Sequence, residues 1–431
     1  MRATMRQARC GAFILGAILA LPLAAAQAAD WPQYRGPNQD GVSLEKVDLN
    51  WPAGGPKVVW KAPTRNGFSS FTVSGGKAFT QVNRDIDGEP REICVALDAA
   101  TGKELWFANV GAGKYDSGGE SGTPDNNGGD GPRSTPTVSD GKVYVFTQHL
   151  VLYCFDAATG QPVWTKNLVK EHAGRNIGWK SAASPVVDGD LVFVGGGGAG
   201  QSLLALNKKT GDAVWKAHDE TITHSTPVVA TILGQRQVIF FLKSGLLSVS
   251  TTDGKALWRF PFRFSVSTAI SPVVSGDIVY CSAGYGIGSG ACRIAKEGDG
   301  FAAKQLWVIP GDKQVANHWS TPVCKDGYLY GMFSFKQFGN GPMKCVELAT
   351  GKLMWERPGF GPGNVLLVNG KILALADDGQ LVVVEALPAA YKEIARFKAV
   401  TGKCWSTPAL SDGRIYIRST KEGACLDVSG K

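Results

Sequence analysis

The stretch "LDAATGKELW", Leu97 to Trp106, decides the fold because the chain repeats it. Variants of the same ten residues end at Trp164, Trp215, Trp258 and Trp355. In each variant a polar residue opens a turn, a glycine supplies the positive φ that most residues avoid, and a tryptophan stands four residues after that glycine. One phrase that recurs along a chain indicates a repeat architecture.

Each phrase ends a longer unit, and the unit from Arg133 to Trp164 shows its plan. A short strand follows Ser-Thr-Pro, a Ser-Asp-Gly turn reverses the chain, and two strands rich in valine, tyrosine and phenylalanine precede a fourth strand at Trp164. Such runs, bounded by turn residues, are typical of strands and hairpins. No long segment with a helical period follows the first 28 residues, so the sequence predicts an all-β protein.

The sequence contains eight such units, and four short strands in each unit are typical of a β-propeller. The eighth unit ends after its third strand, and the segment Pro56–Pro63 carries the spare strand that would complete it. We therefore predict an eight-bladed propeller of four-stranded blades whose ring is closed by an N-terminal strand joining the C-terminal blade. Rings of six or seven blades are the nearest alternatives. The tryptophans expected to dock one blade on the next are Trp60, Trp106, Trp164, Trp215, Trp258, Trp307 and Trp355.

The first 28 residues read as a signal peptide. Three arginines precede the apolar run Gly11–Ala26, and the small residues at 26–28 form a cleavage site. This predicts an exported protein, periplasmic or secreted; an uncleaved membrane anchor is the alternative. The remainder, 29–431, is predicted to be a single propeller domain with a lead-in over 29–55 and a closing strand at about 56–63.

The charge balance excludes one class of partner. The chain carries 45 Lys and Arg against 37 Asp and Glu, a net charge of +8. It has no basic run and no stacked aromatic pattern, so we expect no nucleic acid to bind. We expect a monomer without an integral membrane span once the signal peptide is removed.

Eight cysteines follow the signal peptide. Cys154, Cys345 and Cys425 occupy a position of the repeat where the other units have alanine or serine, so we interpret them as small buried apolar residues. Cys281 and Cys292 flank one glycine-rich hairpin and are the best candidates for a disulfide.

The Ala-x-Asp-x-x-Thr-Gly-x-x-x-Trp pattern resembles the tryptophan-docking motif of quinoprotein propellers, the PQQ-binding-like β-propeller repeat family. The resemblance covers Trp31 to Lys431. The segments Trp31–Ser43 and the Ser-Thr-Pro units near Arg133, His318 and Trp405 look like an exported bacterial branch of this family, of largely unassigned function. The resemblance implies the fold directly, whereas one fold hosts many functions.

Two kinds of relative imply different functions. Quinoprotein alcohol dehydrogenases hold PQQ and Ca²⁺ in the central funnel, with an Asp base and a disulfide between adjacent cysteines. This chain has no adjacent cysteines, no haem-attachment motif and no calcium cluster on a matching motif, so no catalytic and no metal-binding residue is assigned. The propeller subunit of the outer-membrane β-barrel assembly machine is a scaffold of similar size, although that subunit is a lipoprotein and this chain has no lipobox.

The resemblance therefore implies an exported, non-catalytic binding or scaffold protein whose partner is an envelope protein or polymer, with no assured cofactor. The alternative is a PQQ-dependent oxidoreductase that acts on alcohols or sugars, with PQQ and Ca²⁺ as cofactors. The first strand of each propeller blade lines the central channel, so residues at or just before Ser-Thr-Pro are expected to converge at one channel mouth.

The candidate mouth residues form a ring of cations and aromatics. They are Arg133, Lys180, His224, His318, Trp319 and Trp405. Such a ring would suit a planar polyanion such as PQQ, and it would equally suit an acidic protein loop. The alternative is a solvated channel that holds no ligand. The glycine-rich segment 111–132 is either a functional lid or a flexible surface loop.

Overall fold

The computed structural model describes residues 29–52, 54–114, 131–333 and 341–430. The predicted signal peptide, 1–28, and most of the glycine-rich segment 111–132 lie outside these ranges. Strands dominate the described residues. Their one helix, α1 (Leu168–Glu171), has four residues, and no helix among them is long and apolar enough to cross a membrane.

Two strands precede blade 1 along the chain, and the first four blades follow them. The two strands are β1 (Val42–Ser43) and β2 (Lys57–Pro63). Blade 1 contains β3 (Thr72–Ser74), β4 (Lys77–Ile86), β5 (Glu89–Asp98) and β6 (Glu104–Ala112), and blade 2 contains β7 (Thr137–Ser139), β8 (Lys142–Phe146), β9 (Val151–Asp156) and β10 (Pro162–Asn167). Blade 3 contains β11 (Val186–Asp188), β12 (Leu191–Gly195), β13 (Leu203–Asn207) and β14 (Ala213–Ala217), and blade 4 contains β15 (Val228–Ile232), β16 (Gln235–Leu242), β17 (Gly245–Ser250) and β18 (Ala256–Pro261).

The other four blades repeat this antiparallel order. Blade 5 contains β19 (Val273–Ser275), β20 (Ile278–Ala283), β21 (Gly288–Glu297) and β22 (Gly300–Ile309), and blade 6 contains β23 (Val323–Lys325), β24 (Tyr328–Met332), β25 (Met343–Glu347) and β26 (Leu353–Arg357). Blade 7 contains β27 (Asn364–Val368), β28 (Lys371–Leu375), β29 (Gln380–Glu385) and β30 (Glu393–Lys398), and blade 8 contains β31 (Ala409–Ser411), β32 (Arg414–Arg418) and β33 (Glu422–Asp427).

The first strand of each blade is its innermost one, because these strands contact each other from blade to blade, as β3 contacts both β7 and β31. The ring closes where β2 pairs antiparallel with β33, from Lys57 opposite Asp427 to Pro63 opposite Glu422. These observations confirm the predicted eight-bladed propeller closed by an N-terminal strand. Closure leaves the ring without a free end, which is how propellers protect their sheet edges.

A buried arginine reinforces the closing joint. Arg418, in β32 of blade 8, donates hydrogen bonds to Thr80 Oγ1 and the Gln81 carbonyl of blade 1, each at 2.8 Å. It also donates to the Arg65 carbonyl at 2.8 Å. Because the side chain is almost fully buried, these acceptors replace the water that the guanidinium loses.

The tryptophans at the ends of the repeats lie between blades. The indole nitrogen of Trp60 donates to the Ala99 carbonyl of blade 1 at 3.0 Å, and that of Trp106 donates to the Ala157 carbonyl of blade 2 at 3.2 Å. The same bond leads from four further tryptophans to the next blade: Trp164 to Lys208, Trp215 to Thr251, Trp307 to Leu348 and Trp355 to Leu387. Each acceptor belongs to the turn of the next repeat, so one phrase both supplies a tryptophan and receives one.

The glycine of the repeat is required by this packing as well as by the turn. A Cβ on Gly211 would stand 2.8 Å from the Trp164 ring, a distance that real Cβ atoms do not show. Gly102, Gly160, Gly254 and Gly351 face the ring of the preceding blade in the same way, and all five have φ between 72° and 76°. This position therefore requires glycine for two reasons: its positive φ and its close contact with the indole ring.

Two joints depart from this pattern. Trp258 of blade 4 donates to Gln237 Oε1 of its own blade at 2.6 Å, because the long hairpin β21–β22 replaces the usual turn of blade 5. Blade 7 has Phe397 in place of tryptophan, and its ring packs against Gly55 and, at 5.6 Å between centroids, against Trp51 of the lead-in.

The cysteines of the described residues are free thiols. Cys154, Cys345 and Cys425 lie directly opposite the docking tryptophans of their sheets, which explains why only small residues occupy this position. Cys281 and Cys292, the best candidates for a disulfide in the sequence, are not bonded to each other. On the paired strands β20 and β21, Cys281 lies opposite Gly290 and Cys292 lies opposite Val279, so the two cysteines do not face each other. Burial raises the pKa of the Cys292 thiol to about 12.

The lead-in crosses the channel along the innermost strands and contacts Ser-Thr-Pro segments that precede them. Trp31 bridges to Val73 of blade 1, and the Pro32 carbonyl accepts the Val138 amide of blade 2. Beyond these contacts, Arg35 bonds to blade 6, Gln39 to blade 4, and β1 runs parallel to β27 of blade 7. Glu45 Oε2 then accepts the Gly413 amide of blade 8. The lead-in is thus tied to six blades.

Two glycines of blade 3 provide a test of the docking contact. Gly211 and Gly200 have φ of +76° and +71°, but a Cβ on Gly200 would meet no atom within 4 Å. We expect Gly211→Ala to destabilise the protein by about 1–3 kcal/mol more than Gly200→Ala, because only the first displaces an indole. Urea unfolding of both variants measures the difference. Equal losses would contradict the docking role of the Trp164 ring.

Candidate functional site

The segments that precede the innermost strands meet at one end of the channel, here called the mouth. The mouth comprises the six predicted residues together with Phe68, Trp179, Tyr285 and Lys403. A ring of hydroxyl groups fixes these segments. The Ser70 amide of blade 1 donates to Thr135 Oγ1 of blade 2, whose amide donates to Ser184 Oγ of blade 3, each at 2.9 Å. The Ser-Thr-Pro motif therefore spaces the mouth residues evenly around the channel.

Aromatic rings form a continuous arc along the mouth. Trp179 lies 6.3 Å from Tyr285 between ring centroids, and the two planes differ by 10°. Tyr285 then lies 5.1 Å from His318, and His318 lies 4.8 Å from Trp319. Trp179 precedes blade 3, Tyr285 belongs to blade 5, and His318 and Trp319 precede blade 6, so the arc links blade 3 to blades 5 and 6.

The arc continues into blades 8 and 1. Trp319 and Trp405 are 4.8 Å apart, and Trp405 lies 4.9 Å from Phe68. The Trp319 indole donates to the Pro362 carbonyl at 3.2 Å, which ties the arc to blade 7. The indole nitrogen of Trp405 is buried and has no hydrogen-bond partner among the described residues, so it is a donor available to an incoming acceptor.

Cationic side chains accompany the aromatic rings. The Arg133 guanidinium donates to the Trp179 carbonyl at 2.6 Å. Lys403 Nζ lies over the Trp405 ring at 4.6 Å and over the Phe68 ring at 5.6 Å from their centroids. These cation–π contacts favour a positive charge at the mouth even though Lys403 is buried.

His224 lies in the middle of this positive field. Its Nδ1 is hydrogen-bonded to Ser267 Oγ, and its ring lies 6.4 Å from that of Trp179. Burial, together with the charges of Arg133 and Lys243, lowers the pKa of His224 to about 3, although backbone groups of Gly178 and Lys180 act in the opposite direction. The imidazole is therefore neutral at pH 7 and too weak a base for proton abstraction at that pH.

The structure brings all six predicted residues to the mouth and adds four that the sequence analysis did not name: Phe68, Trp179, Tyr285 and Lys403. Phe68 and Lys403 stand within four residues of a Ser-Thr-Pro segment or its equivalent, so the motif could have predicted that both residues reach the mouth. Tyr285 belongs to the hairpin between β20 and β21, far from that motif in sequence. Trp179 and Lys180 both have φ of 61°, which turns this short segment towards the channel.

The side chains of the mouth offer groups that can bind an anion. Arg133 and Lys180 can pair with carboxylates, and Trp179, 37% exposed, offers a partly open aromatic face. Within the described ranges, no three His, Cys, Asp or Glu side chains come together as a metal ion would require. These residues therefore fit an anionic and partly planar group, but they do not fit the calcium ion of a quinoprotein centre.

Comparisons with known proteins agree with this architecture. The family model PQQ_2, described as "Outer membrane protein assembly factor BamB", matches residues 90–332, more than half of the chain. The outer membrane protein assembly factor BamB of Shewanella oneidensis is 27% identical over 309 residues, which cover 68% of this chain and 71% of that protein. For two further BamB relatives the matched part spans 64% and 62% of their length.

Solved structures share the fold at low sequence identity. BamB from Moraxella catarrhalis superimposes with a TM-score of 0.58 at 16% identity, covering 86% of this chain and 99% of that one. Quinohemoprotein alcohol dehydrogenase from Comamonas testosteroni gives a TM-score of 0.64 at 15% identity, covering 94% of this chain and 81% of that one. The same architecture thus occurs in an assembly factor and in a dehydrogenase, so the fold alone does not decide between them.

The depressed pKa of His224 predicts a specific pH dependence of stability. Between about pH 6.5 and pH 3 the unfolded histidine takes up a proton that the folded one excludes, so this residue lowers stability as the pH falls through that window. We expect His224→Gln to lose less stability than the wild type between pH 7 and pH 4, measured by urea unfolding. An NMR titration that places the folded His224 imidazole near its ordinary pKa of about 6.5 would contradict this assignment.

Proposed function

This chain belongs to the PQQ_2 family, and from that premise we propose that it is an exported, non-catalytic scaffold of the bacterial envelope that holds a partner protein at its channel mouth. The observation that carries the proposal is the joining of cations and aromatic rings from different blades into one surface. Aromatic residues and arginine are the side chains most enriched where protein interfaces concentrate their binding energy.

The charge of the mouth indicates the partner's chemistry. The positive charges of Arg133 and Lys243 both act on His224. An acidic loop would find carboxylate partners at Arg133 and Lys180 and an apolar contact at Trp179. Electrostatic complementarity of this kind favours rapid and specific association, and salt weakens it. We therefore propose an envelope protein with an acidic, aromatic-bearing loop as the partner.

The relatives support the same direction. Three of the relatives that match this chain are named outer membrane protein assembly factors. We propose a comparable role for this chain in the periplasm, or outside the cell if the protein is secreted.

Site-specific photo-crosslinking tests the scaffold proposal. A benzophenone amino acid at Trp179 should capture one discrete envelope protein in cells, because this side chain is the exposed part of the arc. The same substitution at Leu233, which is similarly exposed at the other end of β15 and also has a positive φ, should not. Lys180→Glu should reduce the Trp179 adduct. Identical adducts from both positions, or none from Trp179, would reject the mouth as the docking surface.

A second candidate, PQQ-dependent oxidation of alcohols or sugars, is favoured by the same cations. PQQ, when bound, would supply the oxidising quinone; Arg133 and Lys180 would hold its carboxylates, and Trp179 would cover its ring. The described residues offer no matching calcium site. Under this reading the protein would be an enzyme, whereas under the first proposal it is not.

Calorimetric titration of PQQ separates the two functions. For the scaffold we expect no binding up to a concentration on the order of 100 μM, with or without Ca²⁺. Micromolar binding that weakens at least tenfold in Arg133→Gln would instead establish a cofactor site and favour the dehydrogenase. Dye reduction with an alcohol and sugar panel would then report turnover directly.

A further inference from the structure

The lead-in leaves a cavity between itself and the innermost strands of blades 3, 4 and 5. The cavity has a volume of about 290 Å³ and is lined by lead-in residues and by the ends of β11, β15 and β19. This volume is at the lower limit of small-molecule sites and suits a ligand about as large as an amino acid.

Four charged residues line the cavity, and their charges balance. Two are acidic, Asp40 and Asp188, and two are arginines, Arg35 and Arg236. Arg35 is occupied: it donates to the carbonyls of Thr321 at 2.7 Å, Pro322 at 2.8 Å and Asp40 at 2.8 Å. Arg35 therefore holds the lead-in in place, and the accessible guanidinium is that of Arg236.

The lead-in wall presents hydrogen-bond acceptors. Asp40 Oδ1 accepts the Val42 amide at 2.9 Å, and burial raises the pKa of this carboxyl group. Gln33 also lines the cavity; its Nε2 donates to the Pro37 carbonyl at 3.1 Å, while its Oε1 is buried and has no hydrogen-bond partner within the described ranges. The burial of this carboxyl group outweighs the charge of the neighbouring Arg35, which lowers the pKa, so a further cation at this wall would compensate the remaining desolvation.

The blade wall presents a donor. Arg236, in β16, pairs with Asp188 of β11 through two N–H groups, with Nε 3.1 Å from Oδ2. Its side chain is 48% exposed, so the pair is solvated and contributes little to stability. Arg236 also donates to Thr231 Oγ1 at 3.3 Å, which leaves two of the five guanidinium N–H groups to donate to a second carboxylate without releasing Asp188.

We propose that this cavity binds a small zwitterion, such as a free amino acid, with its ammonium group at the Asp40 wall and its carboxylate on Arg236. Balanced charge on the cavity walls matches balanced charge on the ligand, whereas a simple anion or cation would meet a repelling group on one side. The site is independent of the proposed mouth function, because none of the mouth residues lines the cavity.

The test uses the twenty standard amino acids as probes against the purified protein, by saturation-transfer NMR followed by calorimetry. We expect at least one amino acid to bind with a micromolar to millimolar Kd. The same amino acid as its N-acetyl form, and as its amide, should each bind at least tenfold more weakly, because each form removes one charge. No binding at a concentration on the order of 10 mM would overturn the proposal. Equal binding of the blocked forms would overturn it as well.

Matched variants locate the site. Arg236→Gln and Asp40→Asn should each weaken binding at least tenfold, while Arg259→Gln should leave it unchanged. Arg259 is a suitable control because it belongs to the same blade, is 47% exposed and forms its own ion pair with Glu220 away from the cavity. Similar melting temperatures for Arg236→Gln and Arg259→Gln would show that the fold is intact. Unaltered affinity in Arg236→Gln would place the ligand elsewhere and reject the site.

Discussion

One contact determines much of this molecule: an indole ring from one blade packed against a glycine in the turn of the next. The contact requires a glycine with positive φ, a carbonyl aimed at the indole nitrogen, and a small residue opposite the tryptophan within its own sheet. Together these requirements account for the ten-residue phrase and for alanine or cysteine at the opposite position. The contact between indole and glycine recurs at five of the eight joints, where it fixes the angle between neighbouring blades.

The sequence predicted the repeated parts of the fold because repetition made their constraints visible. Eight turns, a closing strand at Trp60 and the buried role of Cys154 could all be inferred from units that rewrite each other. The lead-in could not be placed in the same way, since it occurs once and its partners lie in six different blades. Trp258 departed from the pattern for a related reason: the acceptor it uses, Gln237, belongs to its own blade and has no counterpart in the repeat.

The candidate mouth was partly predictable. Propeller geometry sends the residues before Ser-Thr-Pro to one end of the channel, and this rule sufficed for Arg133, His318 and Trp405. It says nothing about Tyr285, which reaches the arc from a hairpin inside blade 5. Nor does it reveal that His224 is held neutral, because that follows from burial beside Arg133 and Lys243 in the folded protein. Sequence patterns thus indicate which residues converge, whereas their ionisation depends on the packing around them.

Pairing β2 with β33 also affects how the chain can fold. The closing strand at residues 57–63 must wait for residues 422–427, which are made much later than the closing strand itself. Contacts of such sequence separation carry a large loop-closure cost and are slow to form. An open array of repeats can nucleate anywhere and grow from neighbour to neighbour. This ring instead has a late, non-local step, so its blades become mutually locked only after residues 422–427 are present.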